Sequence, residues 1–207
     1  MKRFNENFRT NLYNAIKEIE DNSIVEIVVL IKPQSGKYRD ISLWAGTIFA
    51  FALYTFFMFS PISFDVFLIY TFTVLGFLTI FGLFSALPEL ESKFIKQKRK
   101  DKNVEIYARA IFQKAGIRFT SERIGTLIYC SLFEKKVYVL PDRGAKNAIP
   151  AQDWTKIEDG FQSIFNESNL PEALLKQLAN CKSIFSQFLP PVENDINELP
   201  DNMDIEL

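Results

Sequence analysis

Two uncharged stretches, Ile41–Ser60 (ISLWAGTIFAFALYTFFMFS) and Val66–Leu87 (VFLIYTFTVLGFLTIFGLFSAL), decide the fold of this chain. Neither contains Lys, Arg, Asp or Glu, and only residues 61–65 separate them. A helix needs about 20 apolar residues to cross the hydrocarbon core of a bilayer. The pattern therefore predicts a two-helix transmembrane hairpin. The alternative is a buried hairpin in a soluble protein, but soluble helices rarely stay uncharged on every face over this length.

Charges beside the two stretches predict how the hairpin is oriented. The connecting loop contains Asp65 and no basic residue, whereas basic residues flank both outer ends: Lys32, Lys37, Arg39, Lys93, Lys96, Lys98, Arg99, Lys100 and Lys102. Basic flanks stay in the cytoplasm. We expect an inner (plasma) membrane protein with two spans and both termini cytoplasmic. Residues 1–22 are charged and lack the apolar core of a cleavable signal peptide, so none is expected.

The basic residues after the second stretch have two interpretations. They could contact anionic lipid headgroups, since a Lys or Arg near the surface contributes about 1 kcal/mol. They could equally serve only to set topology. The candidate lipid-facing cluster consists of Lys93, Lys96, Lys98, Arg99 and Lys100.

Composition excludes several classes of chemistry. The 207 residues include no histidine, which rules out Ser-His-Asp catalysis and histidine metal ligation. A metal site would need oxygen ligands, which suit Ca²⁺ or Mg²⁺, and no other cofactor is expected. The net charge of −1 gives no reason to expect a nucleic-acid partner. Cys130 and Cys181 are interpreted as small core residues rather than a disulfide.

The residues outside the hairpin predict one α/β domain into which the hairpin is inserted. We expect a small mixed sheet covered by helices on both faces and interrupted by the transmembrane hairpin. Residues 1–40 supply the first helix and strand, 41–87 the hairpin, 88–189 the remainder of the domain, and 190–207 an acidic tail. The β-branched run Ile24–Ile31 predicts a central strand, and residues 126–133 and 136–140 predict a β-hairpin.

Local signals predict the connections between these elements. After the second apolar stretch the chain is expected to continue as a helix through Lys102. Gly116 is placed to end the following amphipathic helix in a left-handed cap. Residues 141–144 (Pro-Asp-Arg-Gly) read as a turn.

These segments together resemble the TPM domain family, in its bacterial membrane-bound branch with an inserted hairpin. The similar segments follow the order of elements that is usual in this family. A strand comes first, then an amphipathic helix that ends in Gly, then a Thr and a Gly before an apolar strand. A second strand with a Gly turn and a further helix complete the order. They are Val25–Val29, Tyr107–Phe112, Gly116-Ile117, Thr120, Arg123, Gly125–Tyr129, Val137–Val139, Asp142–Gly144, Trp154, Ile157, Phe188–Pro190 and Asn197–Pro200. The resemblance implies divalent-cation binding, and in some members acid phosphatase activity.

Carboxylates at the predicted sheet ends are the candidate ligands for the implied cation. These are Asp142, Asp153 and Glu26. Arg143 or Lys146 could neutralise the charge that develops during phosphoryl transfer. The alternative interpretation is an ordinary turn at residue 142 and a favourable helix start at Asp153.

A polar connection could hold a phosphate. Thr120, Ser121 and Arg123 could act with Arg143 and Lys146 as an anion-binding set, or could form an ordinary loop between elements. Two function classes follow. One is a membrane-tethered binding or scaffold module whose partners are membrane lipids and other membrane or membrane-associated proteins. The other is a divalent-cation-dependent phosphatase at the inner face of the membrane. The absence of charge in the spans argues against a transporter.

Overall fold

The computed structural model describes residues 4–120 and 122–192. In this part the chain forms α1 (Glu6–Glu20), β1 (Ile27–Lys32), α2 (Arg39–Phe59), α3 (Val66–Ala86), α4 (Pro88–Lys93), α5 (Gln97–Lys114), β2 (Thr126–Ser131), β3 (Lys136–Pro141), α6 (Arg143–Ala148), α7 (Ala151–Ser163) and α8 (Leu170–Phe188). Residues 1–35 and 101–207 make up one compact unit, the sheet unit, and residues 36–100 make up a second, the hairpin unit.

The sheet unit contains a mixed three-stranded sheet in the order β1-β2-β3. β1 and β2 are parallel, with Ile27 opposite Thr126 and Lys32 opposite Ser131. β2 and β3 are antiparallel, with Thr126 opposite Pro141. The predicted mixed sheet is therefore confirmed, and the two strands on either side of the hairpin insertion pair directly with each other.

Helices cover both faces of this sheet, as the alternation of side chains along the strands requires. On one face, Val29 and Ile128 pack in a core with α1, α7 and α8 that includes Phe161 and Phe185. On the other face, Leu30 and Leu127 pack against residues of α5. Burying one such side chain stabilises the fold by about 1.5–3 kcal/mol. Both cysteines, Cys130 and Cys181, are buried and unlinked, as predicted.

The expectation that residues 24–31 form a central strand is wrong. Among the described residues, β1 pairs only with β2, which makes it an edge strand. The strand also begins later than expected, because the amide of Ile24 donates to the carbonyl oxygen of Leu189 after α8. A run of apolar residues indicates that both faces of a strand are covered, but it does not indicate whether the strand has one neighbouring strand or two.

In the hairpin unit, α2 and α3 are antiparallel neighbours of 21 residues each, long and apolar enough to cross a membrane. At 1.5 Å per residue each spans about 30 Å. No residue of α3 is buried, and Phe59 and Phe67 are more than 80% exposed. The helices approach closely at glycines, since a Cβ atom on Gly46 would lie 3.0 Å from the Phe77 ring.

The helix expected to run from the second span through Lys102 is broken. α3 ends at Ala86, and Pro88 begins the separate short helix α4, which ends at Lys93. Proline has no amide proton to donate into a preceding turn, so it favours a new helix start. The predicted left-handed cap after α5 is confirmed, because Gly116 has a φ of 73°.

Candidate functional site

Two of the predicted metal ligands lie at the amino end of β1 and β2, on opposite sides of β2. Glu26 directly precedes β1, and Asp142 directly follows β3. Both strand ends lie beside Thr126 in the ladder. Neighbouring strands are about 4.8 Å apart, so the two backbones are separated by about 10 Å across β2. Glu26 is buried, whereas Asp142 is half-buried.

The loop between α5 and β2 closes onto α6 at this same end. The Thr120 hydroxyl accepts hydrogen bonds from the amides of Ile124 at 3.1 Å and Gly125 at 3.3 Å. The Arg123 carbonyl oxygen accepts from the Gly144 amide at 2.8 Å. Thr120 is buried. Its hydroxyl therefore organises the loop through two backbone contacts.

Two glycines allow this close approach of backbone to backbone. A Cβ atom on Gly125 would lie 2.5 Å from the Ile117 carbonyl oxygen. One on Gly144 would lie 2.2 Å from the carbonyl oxygen of Glu122. Contacts under 3.0 Å are essentially never made by real Cβ atoms. Glycine is thus required on steric grounds at both positions.

The predicted turn at residues 141–144 is instead the start of a helix. Asp142 is the N-cap of α6, and its Oδ1 accepts a hydrogen bond from the Arg143 amide at 2.7 Å. Asp is a preferred N-cap because its short carboxylate can satisfy a free amide, and the same residue type also favours turns. The second carboxylate oxygen, Oδ2, is buried and has no hydrogen-bond partner in the described part of the chain.

The third predicted metal ligand is engaged elsewhere. Asp153 lies in the first turn of α7 and forms an ion pair of 2.7 Å with Lys156. Within residues 4–120 and 122–192, no three His, Cys, Asp or Glu residues form a group that could hold a metal ion. Glu26, Asp142 and Asp153 are thus not assembled into such a group. Cation binding stays a prediction.

The predicted anion-binding residues fall into a buried and an exposed set. Thr120 is buried, whereas Arg123, Arg143 and Lys146 are exposed. Ser121 lies outside the described residues, as do residues 193–207 of the acidic tail. Arg123 has a φ of 55°, an uncommon conformation for a residue with a side chain.

Sequence reasoning missed an exposed aromatic side chain beside Arg118 in the same loop as Arg123. Phe119 is 75% exposed, and the Arg118 guanidinium carbon lies 5.1 Å from its ring centroid. We define the basic surface as Arg118, Phe119, Arg123, Arg143 and Lys146. Among the described residues, none of its four cations forms an ion pair. A Phe directly after Arg, in the short 3-10 turn Ile117–Phe119 that follows α5, was the available signal.

The hairpin unit engages part of the predicted lipid-facing cluster internally. Arg99 forms a bidentate pair with Asp40, with N–O distances of 2.7 and 2.8 Å, and stacks over the Tyr38 ring. Lys100 is buried, and its Nζ donates to the Ser92 hydroxyl at 2.6 Å. Lys93, Lys96 and Lys98 are exposed. Lipid contact stays a prediction for all five residues of the cluster.

A second polar cluster, which the sequence did not predict as a group, lies at the carboxyl ends of β1 and β2. The Ser35 hydroxyl lies 2.7 Å from the Tyr129 hydroxyl and 2.7 Å from the Ser131 hydroxyl. The Ser131 hydroxyl donates to Glu134 Oε2 at 2.5 Å. The Ser35 amide donates to both carboxylate oxygens of Glu134, at 3.1 and 3.2 Å. We call Ser35, Tyr129, Ser131 and Glu134 the hydroxyl chain.

Burial gives this cluster unusual electrostatics. Glu134 and Lys32 are 2% and 4% exposed. The Lys32 Nζ lies 5.6 Å from the centroid of the Tyr107 ring. Burial raises the pKa of the Tyr129 hydroxyl to about 12. A lysine ending an apolar strand and a Ser-x-x-Glu spacing at residues 131–134 were the only sequence signals, and both are common.

Comparison with known proteins gives a family match for part of this structure. Residues 93–183 match the family model of the TPM domain. The matched segment runs from the end of α4 through most of α8 and includes β2, β3 and α6. It contains Thr120, Gly125 and Gly144, which build the loop contact at the amino end. The wider resemblance predicted for residues 25–29 stays a prediction.

The fold is similar to a solved structure from a cold-adapted bacterium. This is the BA42 protein of the psychrophile Bizionia argentinensis, determined by NMR. The TM-score is 0.59 at 15% sequence identity, over 96% of this chain and 92% of BA42. At this identity the similarity shows the fold alone. No curated protein matches the chain.

Proposed function

We propose that the protein is a membrane-anchored binding module. In this proposal α2 and α3 cross the inner (plasma) membrane, both termini are cytoplasmic, and the exposed Lys93, Lys96 and Lys98 contact anionic lipid headgroups. The sheet unit, with its TPM-like segment, binds an acidic segment of another membrane or membrane-associated protein through the basic surface.

The observation that carries this proposal is the pairing of exposed cations with an exposed aromatic ring. Arg118, Arg123, Arg143 and Lys146 are exposed without ion pairs in the described part of the chain, and the exposed Phe119 ring lies against the Arg118 guanidinium. The hydrogen bond from the Gly144 amide to the Arg123 carbonyl oxygen joins the loop that carries Arg118 and Arg123 to the helix that carries Arg143 and Lys146. Arg and aromatic residues are enriched at protein interfaces, and complementary charge accelerates association.

The membrane part of the proposal is supported by exposed apolar surface. A row of large apolar side chains on two 21-residue helices is exposed within the hairpin unit, including Phe51, Phe59 and Phe67. Apolar patches of this size need lipid or a partner to cover them. A reporter fused after Leu207 should report the cytoplasm, and one inserted at Ser63 the opposite side. A cytoplasmic signal from both would contradict the two-span topology.

Binding is tested on the full chain in detergent with a fluorescein-labelled polyglutamate peptide. The double charge reversal Arg123→Glu/Arg143→Glu should weaken binding about tenfold or more, because an attraction becomes a repulsion. The control double variant Lys17→Glu/Lys176→Glu changes the net charge equally at exposed positions on α1 and α8. Equal weakening by both variants, or no binding by the native chain, would contradict the proposal.

One observation favours the alternative, a divalent-cation-dependent phosphatase. Asp142 Oδ2 is buried without a hydrogen-bond partner among the described residues, and a Ca²⁺ or Mg²⁺ ion would satisfy it. Arg143 and Lys146, which follow Asp142 in α6, would be the candidates to neutralise the charge that develops during phosphoryl transfer. Calorimetric titration with each ion should show saturable binding that is lost in Asp142→Asn and kept in the surface control Asp159→Asn. Absence of binding by the native chain would contradict the metal-dependent enzyme.

A further inference from the structure

The hydroxyl chain has only one consistent direction of proton donation. Ser131 carries a single hydroxyl proton, and it donates this proton to Glu134. In the 2.7 Å contact between the two serines, Ser35 must therefore be the donor. Its own proton is then used, so Tyr129 donates in the 2.7 Å contact with Ser35. The chain thus runs from Tyr129 through Ser35 and Ser131 to the carboxylate of Glu134.

This direction connects the Ser35 hydroxyl to a buried base through one relay. A serine becomes nucleophilic when a positioned base can take its proton. Ser35 is half-exposed in the turn after β1, whereas Ser131 and Glu134 are buried. Ser35 is therefore the member of the hydroxyl chain that a substrate would meet first, while the base is shielded from water. A buried carboxylate held by three hydrogen bonds is also a costly feature for a small domain without a function.

A positive charge lies on the same face of the sheet. Lys32 is the ladder partner of Ser131, and partners in a ladder direct their side chains to the same face. Its buried ammonium group lies 5.6 Å from the centroid of the Tyr107 ring and supplies a positive charge on the face that carries Ser131, where it could stabilise a developing oxyanion. The cluster also lies at the carboxyl ends of two parallel strands, a frequent position for ligand sites in α/β folds.

We propose that Ser35 is a catalytic nucleophile that takes an acyl group from a carboxylic ester. The Ser35 oxygen bonds to the acyl carbon, its proton passes to the Ser131 oxygen, and the Ser131 proton passes to Glu134. The adduct then expels the alcohol, which leaves with the proton returned through the same relay. The acyl group stays on Ser35 until water hydrolyses the ester. This site is separate from the basic surface and does not depend on the function proposed for it.

The test is covalent labelling of the detergent-solubilised full chain with a fluorophosphonate probe. A bond forms between the Ser35 oxygen and phosphorus, fluoride leaves, and the proton stays on Glu134. Mass spectrometry should place one adduct on Ser35. The labelling rate should fall about 100-fold in Glu134→Gln and in Ser131→Ala, as general-base catalysis contributes at least that factor. Ser131→Thr keeps the hydroxyl and should keep most of the rate.

A purely structural hydroxyl chain gives a different result in the same experiment. It would tie the turn at Ser35 to the β2–β3 connection, and its variants would lower the unfolding temperature with no adduct in any of them. Absence of an adduct on the native chain, or an adduct on Ser131 instead, overturns the proposal. So does Ser131→Thr labelling as slowly as Ser131→Ala with an unchanged unfolding temperature.

Discussion

Replacing Gly144 by Ala should destabilise the sheet unit by about 2–3 kcal/mol. The new Cβ atom would lie 2.2 Å from the Glu122 carbonyl oxygen and 2.7 Å from that of Arg123. Relieving this overlap moves the loop away from α6. Two hydrogen bonds to the Arg123 oxygen, from the amides of Gly144 at 2.8 Å and Ala145 at 3.3 Å, are then weakened. Each contributes about 1 kcal/mol, and residual strain adds about 1 kcal/mol more.

The assay follows the unfolding of the sheet unit alone through Trp154. The chain has two tryptophans, and Trp154 is 7% exposed in the core while Trp44 lies in the hairpin unit. A Trp44→Phe background therefore makes fluorescence specific to the sheet unit. In thermal unfolding in detergent, the midpoint of Gly144→Ala should be about 5–10 °C lower than that of the background protein. The control Asn147→Ala, at an exposed position of the same helix, should change the midpoint little.

A midpoint for Gly144→Ala within about 1 °C of the background protein would refute this reasoning. It would mean that the loop can move away from α6 at no cost. In that case the contact between Arg123 and Gly144 does not organise the amino end of the sheet, and the basic surface loses the backbone contact that joins its two segments.

Burial raises the pKa of the Cys130 and Cys181 thiols to about 12 from an ordinary value of 9.0. Because only the unfolded chain ionises between these values, the free energy of unfolding should keep its full value below pH 9 and fall as the pH rises toward 12. Denaturant unfolding across this pH range checks the prediction. Neither thiol should react with Ellman's reagent at pH 8 until the chain is unfolded. Gly46→Leu should separate α2 from α3, whereas Gly82→Leu should not, because no atom lies within 4 Å of a Cβ atom added at Gly82. Disulfide crosslinking between cysteines introduced on the two helices should therefore be lost only in Gly46→Leu. Lys135→Gly should raise the unfolding midpoint by about 2 °C, because Lys135 has a φ of 51° that glycine adopts without strain. An unchanged or lower midpoint would contradict this prediction.

The elements that the sequence predicted well are those whose signals are local. The two apolar helices, the hairpin of β2 and β3, and the cap at Gly116 each depend on residues close together in the chain. The position of β1 at the sheet edge could not be predicted, because strand neighbours come from distant segments. Pro88 was a local signal for a helix break, but the apolar run that continues to Leu87 led to the prediction of one continuous helix.

The candidate site divides in the same way. Glu26 and Asp142 do lie beside strand ends, as the sequence predicted, because a strand end is visible in sequence, and their functional role stays a prediction. The hydroxyl chain was not found, since Ser35 and Ser131 meet only through the pairing of β1 with β2. Arg99 was assigned to lipid contact because its partner, Asp40, lies on the far side of the hairpin in sequence.

The parallel pairing of β1 with β2 makes folding of the sheet unit dependent on what happens to the residues between them. All of residues 33–125, including both apolar helices, must be synthesised before β2 can reach β1. With the helices across a bilayer, the two strands meet only if both spans have inserted and returned to the same side. A chain stopped after one span leaves β1 unpaired and its apolar side chains exposed to chaperones and proteases. If α2 and α3 span a bilayer, the pairing of β1 with β2 therefore depends on correct insertion of both helices.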